Sequence, residues 1–84
     1  MLSFDALTFE TARAALEQGS EAIRAGQTVF DLSAVQSADS SSVAVMLAWQ
    51  RRARSAGQTL SYVNVPANID SLANLYGVES LLHV

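Results

Sequence analysis

Gly26, Gly57 and Gly77 each close a stretch in which apolar residues recur at helical spacing, and this punctuation constrains the fold more than any other feature of the sequence. From Thr8 to Ala25, Phe9, Ala12, Leu16 and Ile23 recur near a 3.6-residue period, while Glu10, Arg13, Glu17 and Glu21 fall mostly elsewhere. This predicts a helix capped by Thr8 and stopped at Gly26. Gly19 lies inside it, and an interior glycine costs a helix roughly 1 kcal/mol relative to alanine, so a bend or break is expected there. A second helix is predicted from Ser40 to Ala56. A third starts with Pro66 at its first helical position and continues through Ile69, Leu72, Ala73 and Tyr76.

Short runs with strand character separate these helices. Thr28–Leu32 is β-branched and aromatic at its centre, Thr59–Val65 alternates loosely, and Leu2, Phe4 and Leu7 suit a short strand at the start of the chain. The residues from Val78 to Val84 suit a final short strand. Strand and helix in alternation predict an α/β sheet with helical crossovers. A chain of 84 residues closes one core, so a single domain over residues 1–84 is expected.

Composition narrows the functions open to such a domain. Hydrophobic residues make up 50% of the chain, too many for a disordered segment of this charge content. There are no cysteines, so neither a disulfide framework nor a thiolate metal site is available. The net charge is -3, with five Arg and no Lys, which argues against binding a phosphate backbone and makes nucleic acid an unsuitable partner. The longest uninterrupted apolar run, Val43 to Trp49, falls well short of the ~20 residues that span a bilayer. No basic region followed by an apolar one begins at Met1, so a cytoplasmic protein without a signal peptide is expected.

Catalytic chemistry finds no support. The only histidine, His83, stands next to the carboxy terminus and suits an exposed, inert role rather than that of a base. No phosphate-cradling glycine loop occurs, nor any grouping of ligand side chains at metal spacing. We therefore expect a binding module rather than an enzyme, with no catalytic residue, cofactor or metal.

The stretch that carries functional promise is Asp31 to Ser42, where a strand end leads through a polar connection into the second helix. Asp39 and Ser40 are the candidates for its N-cap, since their oxygens can accept bonds from the first unpaired helical N–H groups. The positive end of the helix dipole lies there too, so Ser40 occupies a position that tolerates a phosphate or a partner's anion. Asp31 is expected to turn to the sheet end or to bond the next loop through its carboxylate. Along the helix, Val43, Met46, Trp49 and Ala53 share one arc, the expected core face. Ser40, Ala44, Ala48, Arg51 and Ser55 lie within roughly 80° of one another on the opposite side. That second stripe is flat near its start and could accept a partner helix or loop. Arg51, Arg52 and Arg54 form a local basic cluster, of which Arg51 shares the Ser40 stripe and suits an acidic partner.

Taken together, Asp31-Leu32-Ser33-x-Val35, Asp39-Ser40-Ser41, the apolar helix, Gly57-Gln58-Thr59-Leu60 and Leu72-Ala73-x-Leu75-Tyr76-Gly77-Val78 resemble the STAS family of anti-sigma-factor-antagonist-like domains. The resemblance implies a small mixed β-sheet of about three to four strands packed against helices. Its amino-terminal strand region would be shortened, leaving a sheet edge at which a homodimer could form. It also implies that Ser40 holds the position of the family's regulatory hydroxyl. Ser42 departs from the glycine usual after the hydroxyl pair.

Leu72-Ala73-Asn74-Leu75-Tyr76 and Val63-Asn64-Val65 are similar to the MlaB branch of that family. This implies a cytoplasmic subunit that binds the ATPase of an ABC-type phospholipid transporter and meets the inner membrane only through that complex. Asp39, Ser40, Ser41, Ala44, Ala48 and Arg51 would form the contact. The alternative is an anti-sigma-factor antagonist whose Ser40 is phosphorylated by a partner Ser kinase. A third possibility is a structural homodimer in which the serines only cap the helix.

Overall fold

The computed structural model describes residues 2–78. Its elements run β1 (Leu2–Ser3), β2 (Ala6–Leu7), α1 (Ala12–Arg24), β3 (Val29–Asp31), β4 (Ser37–Ala38), α2 (Ser40–Ser55), β5 (Ser61–Val63) and α3 (Ala67–Leu75). Of the expected last strand over residues 78–84, all but Val78, His83 included, lies outside the described residues.

β1, β3 and β5 form one sheet with β3 in the middle, and β2 pairs with β4 separately. Leu2 stands opposite Phe30, Phe30 opposite Tyr62, and Leu7 opposite Ala38. Every described pair is parallel, where a mixed sheet was expected. The physical reason is connectivity. A helix lies in the chain between the members of each pair, and such a crossover returns the chain in the same direction.

The helix ends follow the glycines. After α1 the Gly26 N–H donates to Ile23 O at 3.0 Å and the Gln27 N–H to Ala22 O at 2.9 Å. After α2 the Gly57 N–H donates to Arg54 O at 3.0 Å and the Gln58 N–H to Ala53 O at 2.8 Å. With φ of +91° at Gly26 and +73° at Gly57, both helices close in the paired-bond motif that satisfies their last carbonyls. α3 ends in the same way at Gly77. Its start differs slightly from expectation: Pro66, extended at ψ 150°, is the N-cap, and Ala67 opens the helix.

The start of α1 is a larger correction. The helix begins at Ala12, and Thr8 is not its cap. Instead Thr8 to Thr11 make a tight turn in which the Thr11 N–H donates to Thr8 O at 3.1 Å and the Thr8 N–H donates to Thr11 Oγ1 at 3.0 Å. The turn carries Phe9 out of the apolar stripe, leaving it 81% exposed rather than in the core.

Trp49, fully buried, is the centre of that core. It stacks on Phe4 with ring centroids 4.8 Å apart and meets Phe30 edge-on at 5.1 Å. Tyr62 closes the cluster 6.2 Å from Trp49, and its hydroxyl donates to Met46 O at 2.6 Å. Burial pushes that phenol well above its usual pKa, so it remains a neutral donor. At the end of the sheet, Asp31 Oδ1 accepts from the Ser33 N–H at 2.9 Å and from Asn64 Nδ2 at 3.2 Å, tying β3 to the end of β5. Of the two roles open to it, Asp31 thus bonds the next loop, and these bonds hold its carboxyl below the usual range.

Gly19 does not break α1, which runs unbroken from Ala12 to Arg24. The glycine is buried where α1 crosses Trp49, and a Cβ there would stand 2.5 Å from Trp49 Cε2 and 2.9 Å from Cδ1. Its absence lets the indole fill the space between the helices. Two effects of opposite sign therefore meet at this position. Helix propensity favours alanine by about 1 kcal/mol, whereas overpacking a closed interior costs about 1–3 kcal/mol. Because rigid ring atoms of a buried indole are what the methyl meets, the clash should win. Gly19→Ala is expected to lower the urea midpoint with an unchanged m-value, and a raised midpoint would contradict this packing.

Candidate functional site

Asp39 is the N-cap of α2, with φ -131° and ψ -167°, and its Oδ1 accepts the Ser41 N–H at 2.8 Å. Its second oxygen reaches across the chain, where Oδ2 accepts the Phe9 N–H at 3.0 Å. The Asp39 N–H in turn donates to Leu7 O at 3.3 Å, continuing the β2–β4 ladder into the helix start. One residue thereby joins the mouth of α2 to the turn that follows β2. Both carboxylate oxygens are occupied, so Asp39 positions the corner.

The three serines after it divide their tasks. Ser42 is buried, and its hydroxyl donates to Asp39 O at 2.7 Å, so the position where a glycine was expected holds an inward-turned serine. Ser41 is half-buried. Ser40 is exposed, and its hydroxyl bonds to no described residue. Of the two cap candidates, Asp39 takes the cap and Ser40 is left free at the first helical position.

Below the mouth, Ala44 is exposed, Ala48 half-buried, and Arg51 and Ser55 exposed, while Val43, Met46, Trp49 and Ala53 are buried. The two faces of α2 divide as the sequence predicts. Asp39, Ser40, Ser41 and Ala44 stand together at the mouth, whereas Ala48, Arg51 and Ser55 turn toward α1 and line a groove with Ser20, Ile23 and Arg24. The stripe thus consists of two neighbouring regions.

Sequence reasoning missed Phe9. Its ring stands exposed on the turn whose N–H bonds Asp39, and Phe9 and Asp39 line one shallow depression with Thr8, Thr11 and Ser37. The available signal was Thr11, whose hydroxyl donates to Ala6 O at 3.2 Å and closes the turn before the helix begins.

Among the described residues no group of three or more His, Cys, Asp or Glu gathers as metal ligands, and no helix is long and apolar enough to cross a membrane. What the corner offers is a free hydroxyl at a helix N-terminus beside an exposed aromatic ring.

The family model described as "Mlab, STAS domain" matches residues 5–83. No curated protein shows significant sequence similarity to the chain.

The Asp39 carboxyl lies below its ordinary value of 3.8 because the Phe9 and then the Ser41 N–H groups donate to its charged form. A depressed folded-state pKa means that the unfolded chain takes up the proton first. The stabilisation is therefore complete above the unfolded value and is lost as pH falls through the folded one. Thermal midpoints should begin to drop below about pH 5 and continue to drop as pH falls past 3.8, the ordinary value of the carboxyl. Asp39→Asn, which keeps a cap oxygen without the charge, should flatten that drop, with Asp31 supplying what remains. Parallel pH curves for wild type and the Asn variant would show that the carboxylate does not hold the corner.

Proposed function

Because the chain belongs to the STAS family, of the MlaB type, we propose that it is a non-enzymatic adaptor that docks through the mouth of α2 onto the cytoplasmic ATPase subunit of an ABC-type phospholipid transporter. In this role it supports the assembly or activity of a complex that maintains outer-membrane lipid asymmetry, and it reaches the inner membrane only through that complex. The observation that carries the reading is the free, exposed Ser40 hydroxyl on a corner fixed by Asp39. A side chain that serves neither the cap nor the core is available to a partner.

The surroundings suit docking. Ala44 leaves low relief one turn below Ser40, so another backbone can approach closely, and Ser41 contributes a second hydroxyl at the rim. Phe9 supplies the kind of exposed aromatic that often carries much of an interface's energy once a partner buries it.

A second reading rests on the same hydroxyl. Ser40 is accessible and lies at the positive end of a 16-residue helix, so it suits phosphorylation by the Ser kinase partner of an anti-sigma-factor antagonist. A phosphate would add a charge of about -1.5 to -2 and oppose docking by repulsion and desolvation. Incubation with such a kinase and ATP, followed by mass analysis of the Ser40 peptide, separates this reading from the first.

Capture by the purified ATPase subunit tests the leading reading. Ser40→Asp should weaken capture about tenfold, ~1.4 kcal/mol, and more than Ser40→Ala does. Both should leave the thermal midpoint nearly unchanged, since an anion is tolerated at a helix start. Phe9→Ala should weaken capture about fivefold or more with little change in stability, because the ring is already in solvent. Equal capture of wild type and all three variants would remove the corner from the interface.

A further inference from the structure

We propose that the groove between the carboxy-terminal halves of α1 and α2 receives an acidic polypeptide segment of the partner, whose carboxylates pair with Arg24 and Arg51. The proposal deepens the docking reading and rests on it, since Ala48 and Arg51 belong both to the groove and to the outward stripe of α2.

The groove has a volume of about 610 Å³ and is lined by Ser20, Ile23 and Arg24 of α1 and by Ala48, Arg51, Arg52 and Ser55 of α2, with Ala56 at its end. Three of the chain's five cations thus converge on one concavity of a protein whose net charge is -3. No Asp or Glu is among the lining residues. Among the described residues Arg24 and Arg51 make no ion pair or hydrogen bond through their side chains. Arg52 is held differently: its Nη1 donates to Ser20 Oγ, and that hydroxyl donates to Leu16 O at 2.6 Å. Arg52 therefore forms a fixed positive wall, and the other two guanidinium groups keep their donors available.

The ordinary explanation for arginines in last turns is that they compensate the helix dipole and bond the last carbonyls. Here the glycine motifs already supply the carbonyl partners, with Ala22 O and Ile23 O taken in α1, and Ala53 O and Arg54 O in α2. Dipole compensation also does not need two helices to aim their cations into a shared trough. Each guanidinium presents a planar fork of donors that matches a carboxylate bidentately. The half-buried Ala48 and the buried Ile23 give the trough a low apolar floor along which a backbone can lie. A polypeptide fits this space between two helices, and its charge must be opposite to that of the lining. The flat, laterally extended contact that a membrane surface requires is not what a trough offers.

A fluorescently labelled hexaglutamate peptide, titrated by anisotropy at low and at physiological salt, tests the groove separately from the helix mouth. Hexaglutamine and vesicles of phosphatidylglycerol serve as comparisons. Wild type should bind hexaglutamate with an affinity that falls as salt rises, and should bind hexaglutamine at least tenfold more weakly. Arg24→Gln with Arg51→Gln should weaken hexaglutamate binding tenfold or more, while Arg13→Gln, a charge change elsewhere on α1, should alter it less than twofold; circular dichroism melts confirm that each variant is folded. Failure of wild type to bind hexaglutamate, equal binding by the double variant, or binding confined to the vesicles would each overturn the proposal. Capture by the ATPase subunit, measured in parallel, reports on the docking reading. Capture that persists in a double variant unable to bind hexaglutamate would place the partner elsewhere and overturn the groove's role in docking, whereas loss of both would support it.

Discussion

The carboxylate of Asp39, shared between the N–H groups of Ser41 and Phe9, is the joint on which the presented surface depends. One oxygen starts α2 and the other holds the turn after β2 against that start. The helix position and the loop position are therefore not independent. The opposite face of α2 completes the constraint, because Trp49 packs among Phe4, Phe30 and Tyr62 and against Gly19. With its start pinned and its inner face locked, α2 has one rotational setting, and that setting turns Ser40 and Ala44 outward.

Much of this was legible in the sequence where local chemistry decides. α2 was expected from Ser40 to Ala56 and is observed from Ser40 to Ser55, because a capping aspartate and a terminating glycine mark both ends. Its two faces could be read from periodicity alone, and so could the outward placement of Ser40. The helical and strand segments in alternation gave the α/β class, and β1, β2, β3 and β5 lie inside the segments proposed for strands, whereas β4 falls in the stretch read as a polar connection. The family resemblance, carried by the Asp39-Ser40-Ser41 corner and the segments around it, agrees with the family that matches residues 5–83.

What was not legible depends on contacts between distant segments. Phe9 obeys helical spacing, but spacing carries no information on a threonine hydroxyl that closes the preceding turn. Gly19 reads as a weak point in an isolated helix, and only the approach of Trp49 reveals it as necessary clearance. The β2–β4 pair consists of two residues on each side, too few for any pattern to show. The arginine groove needed α1, since Arg24 stands 27 positions from Arg51 in sequence and joins it only when the helices pack. The pairing of all described strands in parallel likewise follows from connectivity rather than from any single strand's residues.

The resulting surface has two chemically distinct parts, a corner at the start of α2 that carries a hydroxyl, an aromatic ring and the Asp39 carboxylate, and a cationic trough between its end and α1. A partner that spans both would be read twice, by shape at the mouth and by charge in the trough. Backbone hydrogen exchange of the chain with and without the purified ATPase subunit tests that arrangement most directly. The account predicts slowed exchange confined to residues 8–11, to 20–24 and to the exposed side of 40–55 on complex formation. Protection centred on α3, or none at all on α2 despite complex formation, would contradict it.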